Sequence, residues 1–228
     1  MLQRLGKLGA RWVEAFVQKP MTIGISWGTG LSALVEALSP PKQIDVKVAQ
    51  VIGALGTSDP TIDGFELARE LARKFGGQYE ILPAPLVVES EPIQRGLIQD
   101  RRVRRVLSRA EKMDLVMVGI GTLDPKRSSL VRSGFLTTEQ LDELVDASAV
   151  GDVCAIHFDI DGKIVDTPLT RRVVGIQYKT LKRIPARLGI SGGREKALSI
   201  LGALRAGMVN VLITDDVAAI DVLAHLSK

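Results

Sequence analysis

The chain has 228 residues, 46% of them hydrophobic, with a formal net charge of +4. That length suits one large domain or two small ones with a sizeable core. The longest apolar runs, VNVLIT and LVMVGI, are strand-sized, well below the roughly 20 residues of a bilayer-spanning helix, so no membrane span is expected.

Charges interrupt the apolar positions of the N-terminal segment, so it lacks the centre of a secretory signal, and a cytoplasmic location follows. Residues 5–18 read as an amphipathic helix, with Leu5, Leu8, Trp12, Phe16 and Val17 three or four apart. MTIGIS is a strand, SALVEALS a helix ended by Pro40 and Pro41, and KVAQVIGAL a second strand. DGFELARELARKFG is a helix closed by Gly76 and Gly77, and QYEILPAPLVV a strand broken by prolines. GLIQDRRVRRVLSRAEKM then gives a helix and DLVMVGIG a strand. Strands linked by helices of this length predict an α/β fold, a largely parallel sheet covered on both faces.

The rhythm changes after Gly121. A loop leads to a helix with Thr137 or Thr138 at its cap and Glu139 in its first turn. VGDVCAIHFDIDGKIV reads as two short strands around a turn at Asp159, Asp161 and Gly162. RIPARLGIS, GREKALSILGALRAG and VNVLITD resume the strand-helix-strand pattern, and DVAAIDVLAHL is a final helix, with Asp215 and Asp216 at its cap. One domain, 1–228, with a small antiparallel insertion accounts for this order.

The excess positive charge raises the question of nucleic acid. The densest basic run holds Arg101, Arg102, Arg104, Arg105 and Arg109 around an apolar stripe of Val103, Val106 and Leu107, the pattern of a solvated helix. Aromatics make up 4%, too few for base stacking, and no helix-turn-helix or zinc finger is visible. This chain is not expected to hold DNA itself. Its single cysteine, Cys154, excludes an internal disulfide and a cysteine-based zinc site, and reads as a buried structural thiol. His157 lies in an apolar strand and His225 far away on the last helix, so neither a metal site nor a cofactor is expected. DIDG reads as a tight turn lacking the later glutamate of a calcium loop.

Two glycine-bearing turns carry the chemistry. In an open parallel sheet, ligands bind beyond the carboxyl ends of the strands, where the chain order reverses. After the first strand, SWGTG offers unpaired amides and a helix N-terminus to an anion, with Ser26, Gly28, Thr29 and Gly30 letting backbone and hydroxyls approach it. SGGREK repeats that geometry near the other end and adds a cation, Lys196, one helical turn beyond Gly193. Both turns can converge on one phosphate.

The runs GISWGTG, VIGALGTSDP, VGIGTLDPKRSSLVRSGFLT, AVGDVCAIHFDIDGKIVDT and SGGREKALSILGALRAGMVNVLITDD resemble, block by block and in order, the sugar-binding domain of SorC-type bacterial transcriptional regulators. The resemblance covers nearly the whole chain. It implies a fold like that of phosphosugar isomerases and deaminases, a phosphorylated sugar as effector, self-association, and DNA read by a separate N-terminal helix-turn-helix domain missing here. It further implies that Ser26, Gly28, Thr29 and Gly30 cradle phosphate, that Gly193 and Lys196 form the second turn, that Asp152 accepts from sugar hydroxyls, and that Arg132 adds a basic contact. Gly30 departs from the family, where a second threonine is common. VIGALGTSDP lacks the arginine that one branch uses for a second phosphate, which favours a monophosphate. The competing reading is a catalytic phosphosugar isomerase or deaminase of the same fold, although no general base with a second titratable group is apparent in any block.

Overall fold

The computed structural model describes residues 1–56 and 60–226, so Thr57, Ser58 and Asp59 of the VIGALGTSDP block lie outside the described residues. Helix α1 (Leu2–Phe16) precedes an alternation of β1 (Thr22–Ile25), α2 (Thr29–Ala37), β2 (Lys47–Gln50), α3 (Gly64–Phe75), β3 (Gln78–Glu80), α4 (Glu91–Gln99), α5 (Arg101–Ser108) and β4 (Leu115–Gly119). There follow β5 (Gly121–Thr122), α6 (Ser129–Arg132), α7 (Thr138–Asp146), β6 (Gly151–Val153) and β7 (Ile156–Phe158). The alternation resumes with α8 (Tyr178–Leu181), β8 (Ala186–Ile190), α9 (Ala197–Arg205), β9 (Val211–Ile213) and α10 (Asp216–Leu226).

The main sheet has the order β3-β2-β1-β4-β8-β9 with every neighbouring pair parallel. The insertion forms a separate antiparallel sheet, β5-β6-β7. The α/β architecture and its insertion are those expected from the sequence. Successive strand residues point to opposite faces, so each strand feeds two cores. Ile23, Ile25, Leu115, Met117, Leu188 and Ile190 pack with residues of α1, α2 and α3. Val116 and Val118 pack on the other side with Val103, Val106, Ile200 and Leu201. Each fully buried Ile or Leu contributes about 1.5 to 3 kcal/mol, so the strands around β1 and β4 form a rigid platform.

Several local features differ from the sequence reading. The long helix expected over 96–113 is broken at Asp100, whose carboxylate accepts from the amides of Arg102 (2.8 Å) and Val103 (3.3 Å) and starts a new helix. Those amides hold the Asp100 carboxyl below its ordinary range. The hairpin closes at Cys154 and Ala155, both at φ +55°, the two positive values a tight two-residue turn demands. DIDG makes the next turn, where Asp159 Oδ1 accepts from the amides of Asp161 and Lys163. Thr137 caps α7 in a capping box with Gln140.

Helix α1 is packed largely within the chain: Leu5, Ala10 and Val13 are buried against α2, while Leu8 of the expected apolar face stays 50% exposed. The helices meet closely because α1 presents glycines, and a Cβ at Gly6 would overlap the Ala33 carbonyl. Among the described residues, no helix is long and apolar enough to cross a membrane.

Candidate functional site

Strand order reverses between β1 and β4, which opens a crevice beyond their carboxyl ends. A cavity of about 120 Å³ sits there. That size suits a compact polar ligand, being well below a drug-sized pocket. A roomier groove lies at the opposite edge, beside Met113 and Pro185, which precede β4 and β8. It lies away from the switch point and its helix N-termini, so chemistry rather than size distinguishes the crevice.

One wall is the β1–α2 turn. Helix α2 begins at Thr29, three residues earlier than the apolar periodicity suggests, with Gly28 as its cap at φ +126°, ψ 161°. That backbone is open only to glycine, and no side chain crowds the position, so the requirement is conformational. The first intrahelical bond runs from Ser32 N to Gly28 O, leaving the amides of Thr29, Gly30 and Leu31 ahead of it. Thr29 and Gly30 line the crevice, so the positive end of the α2 dipole lies at its wall. Ser26 is buried below them, its hydroxyl accepting from Gly119 N at 3.4 Å. A Cβ at Gly30 would approach Ile190 Cγ2 to 3.2 Å, so a threonine there needs Ile190 to shift.

The β8–α9 turn forms a second wall. Lys196 Nζ donates to Ile120 O at 3.0 Å. Burial lowers its ammonium pKa below the ordinary value, a pull opposed by Asp152 and Glu195 nearby. Gly193 is adjacent but does not line the cavity. At φ +99° it shapes the turn, and its amide is already used, donating to Asp215 Oδ2 at 2.7 Å. The carboxylate that caps α10 through Ala218 N (2.8 Å) therefore also holds this loop.

The small sheet supplies the third wall. Asp152 is buried beside Gly121, where a Cβ would overlap its Oδ1, while its Oδ2 accepts from Ala155 N at 3.0 Å. Asp152 and Cys154 both line the cavity, and burial, with Asp152 beside it, pushes the thiol up to about 12. His157 pairs across the strands with Asp152 but stays outside the lining; burial lowers its pKa.

Six of the eight residues singled out in the sequence, Ser26, Gly28, Thr29, Gly30, Asp152 and Lys196, therefore line one cavity. Arg132 does not. It is exposed at the end of α6, and Ser129 and Leu130 of that helix reach the wall instead. Sequence reasoning also missed Trp27, Gly119, Ser191 and, from α1, Leu2 and Leu5. The glycines and serines at strand ends were a usable signal, whereas nothing in α1 marked its start as a cavity wall.

Comparison with known proteins gives the family and the fold. Residues 1–224 match the family described as "Putative sugar-binding domain". The chain is 28% identical over 211 residues to the deoxyribonucleoside regulator of Bacillus subtilis, covering 92% of this chain and 67% of that protein. The crystal structure of a transcriptional regulator from Streptococcus pneumoniae superposes with a TM-score of 0.92 at 30% identity, over 100% of this chain and 86% of the other. The full-length sorbitol operon regulator SorC of Klebsiella pneumoniae gives 0.90 at 27% identity, over 96% of this chain and 72% of the other. These relatives are named as transcriptional regulators, which points to a role other than catalysis. With residues 1–224 matched to that family, and a helix N-terminus, a lysine and a buried carboxylate gathered at one switch point, the chain belongs to the sugar-binding domain family of SorC-type transcriptional regulators.

Proposed function

We propose that this domain binds a phosphorylated sugar as an effector and conveys its occupancy, through the arrangement of associated subunits, to DNA held by a separate domain. The observation that carries the reading is the meeting in one crevice of the α2 N-terminal amides, Lys196 and Asp152. The amides and ammonium provide charge-assisted donors to phosphate. Ser26, Gly28, Thr29 and Gly30 form the cradle, Gly193 shapes the second turn, and Asp152 accepts from the sugar hydroxyls. Arg132 stands outside the proposed contacts.

The effector acts by binding one arrangement of subunits more tightly than another, since a ligand shifts an equilibrium only by its differential affinity. Among the described residues lining the cavity, the titratable side chains are Asp152, Cys154 and Lys196. The Cys154 thiol is held protonated, and no histidine stands ready to exchange a proton with a sugar carbon.

The test is a thermal-shift screen of pentose and hexose phosphates, each beside its free sugar, followed by analysis of the recovered compounds. Stabilisation by one phosphate without conversion is expected. Equal stabilisation by the free sugar refutes the phosphate assignment, and conversion to an isomer or deaminated product establishes the catalytic reading instead.

A further inference from the structure

A second cavity, of about 240 Å³, lies beside β7 of the small sheet and shares no lining residue with the crevice. Its wall is largely apolar, formed by Ile156, Ile164, Val165, Val173 and Ile176. One water needs about 10 to 15 Å³ of such space, so there is room for a molecule of several heavy atoms. His157 also lines this cavity, 2% exposed, and neither of its ring nitrogens has a hydrogen-bond partner. Buried polar groups are almost always paired, so an imidazole with both nitrogens unmet points to a contact from outside the chain.

We propose that this cavity binds a compact uncharged molecule with an apolar body and a hydroxyl group, the hydroxyl meeting the His157 imidazole. The other polar side chains within the wall are already engaged. Gln94 Nε2 donates to Val173 O, Tyr178 Oη to Ala206 O and Thr170 Oγ1 to Thr167 O, each at 2.9 Å. Burial lowers the His157 pKa, so at pH 7 the ring is neutral and offers one N–H and one bare nitrogen. Asp152 and the Ala155 backbone pull the other way, but neither reaches hydrogen-bond geometry with the ring. A hydroxyl both donates and accepts, so it satisfies whichever nitrogen it meets, and the broad torsion about Cβ–Cγ lets the ring turn toward it. The same wall disfavours ions. Among the described residues lining the cavity none is a lysine or arginine, and the one carboxylate, Asp166, is already paired with Arg171 at 2.8 Å.

This site stands apart from the phosphosugar reading, since the two cavities have separate walls. They are neighbours all the same. His157 pairs across β6 and β7 with Asp152 of the crevice, and Ala155 of the second wall follows Cys154 of the first. An occupant beside His157 therefore lies one strand pair from the carboxylate proposed to hold the sugar hydroxyls.

Phenol is the probe, with toluene as the apolar control and benzoate as the charged one. Titration of the whole chain, followed by NMR, is expected to show saturable binding of phenol and none of benzoate. The chain has two histidines, so the ring ¹⁵N signals of His157 are separable from those of the exposed His225. Phenol should move a His157 ring nitrogen and leave His225 in place. His157→Phe keeps an aromatic ring and removes both nitrogens. A neutral hydrogen bond contributes roughly three- to tenfold in affinity, so the ratio of phenol to toluene affinity should fall by about that factor in the variant. Absence of saturable phenol binding, or equal binding of benzoate, overturns the inference. So does a phenol-to-toluene ratio that His157→Phe leaves unchanged. The native chain decides even if that variant fails to fold: a His157 signal that phenol does not move shows the imidazole to be met by water alone, and the proposed contact falls.

Discussion

Replacing Lys196 by methionine removes the ammonium while keeping most of the side-chain volume. Lys196 Nζ is 3.0 Å from Ile120 O and stands in the wall that faces the α2 N-terminus. A hydrogen bond to a charged group contributes about 1.5 to 3 kcal/mol. At about 1.4 kcal/mol per tenfold, phosphosugar affinity should fall roughly ten- to a hundredfold. Stability in the absence of ligand should change little, because the ammonium is partly desolvated and Ser191 Oγ, at 3.5 Å, still lies beside the Ile120 carbonyl. For a chain of this size, a melting shift of no more than about 2 to 4 °C, the equivalent of roughly 1 kcal/mol, is expected. The pH dependence follows from the same burial. Desolvation lowers the Lys196 pKa, so the free site loses its charge at a pH below the ordinary lysine value. Phosphate favours the protonated amine, so affinity should decline as pH rises through that lowered value, and Lys196→Met should lose this decline. Titration calorimetry of both proteins across pH, with the phosphosugar and its free sugar, provides the measurement. Affinity within a factor of about two of the native protein, or an equal loss for the free sugar, refutes the reasoning.

Gly121→Ala should displace the Asp152 carboxylate that a Cβ would overlap, lowering affinity for phosphosugar and free sugar alike, which calorimetry with both compounds can read. Gly6→Ala should destabilise the chain by about 1 to 3 kcal/mol, the range for overpacking, because α1 must move off the Ala33 carbonyl; an unchanged urea midpoint would show that α1 shifts freely. Arg109 hydrogen-bonds Glu80 at 2.6 and 2.8 Å and holds that carboxyl below its ordinary value. The folded pKa is the lower one, so this stabilisation is present above the unfolded pKa of about 4.5 and is lost as pH falls through the folded value. With Arg109 42% exposed, the pair is worth at most about 1 kcal/mol, and Arg109→Gln should cost that much at pH 7 and less as the solution is acidified below pH 4 in urea titrations.

The sequence by itself determined the α/β class, the order of strands and helices, and the two glycine turns, because each is written in local terms. Apolar alternation against 3.6-residue periodicity separates strand from helix, and a glycine pattern such as SWGTG marks a turn through its own backbone freedom. Local competition was harder to weigh. Asp100 broke a helix because its carboxylate outbid continued helical bonding, and Cys154 and Ala155, neither a usual turn residue, took positive φ because strand pairing on both sides left two residues to reverse the chain. Only the tertiary structure decided what meets what. Ser26, Asp152 and Lys196 are far apart along the chain, and they share a cavity because β1, β4 and β8 are neighbours and the small sheet folds over their ends. The same placement left Arg132 outside, used the Gly193 amide on Asp215, and covered Leu5, Ala10 and Val13 of α1 with α2 while Leu8 of α1 and Ile220 of α10 stayed in solvent. Amphipathicity states that a face must be covered but not by what, since burial stabilises apolar surface without regard to its partner's place in the sequence.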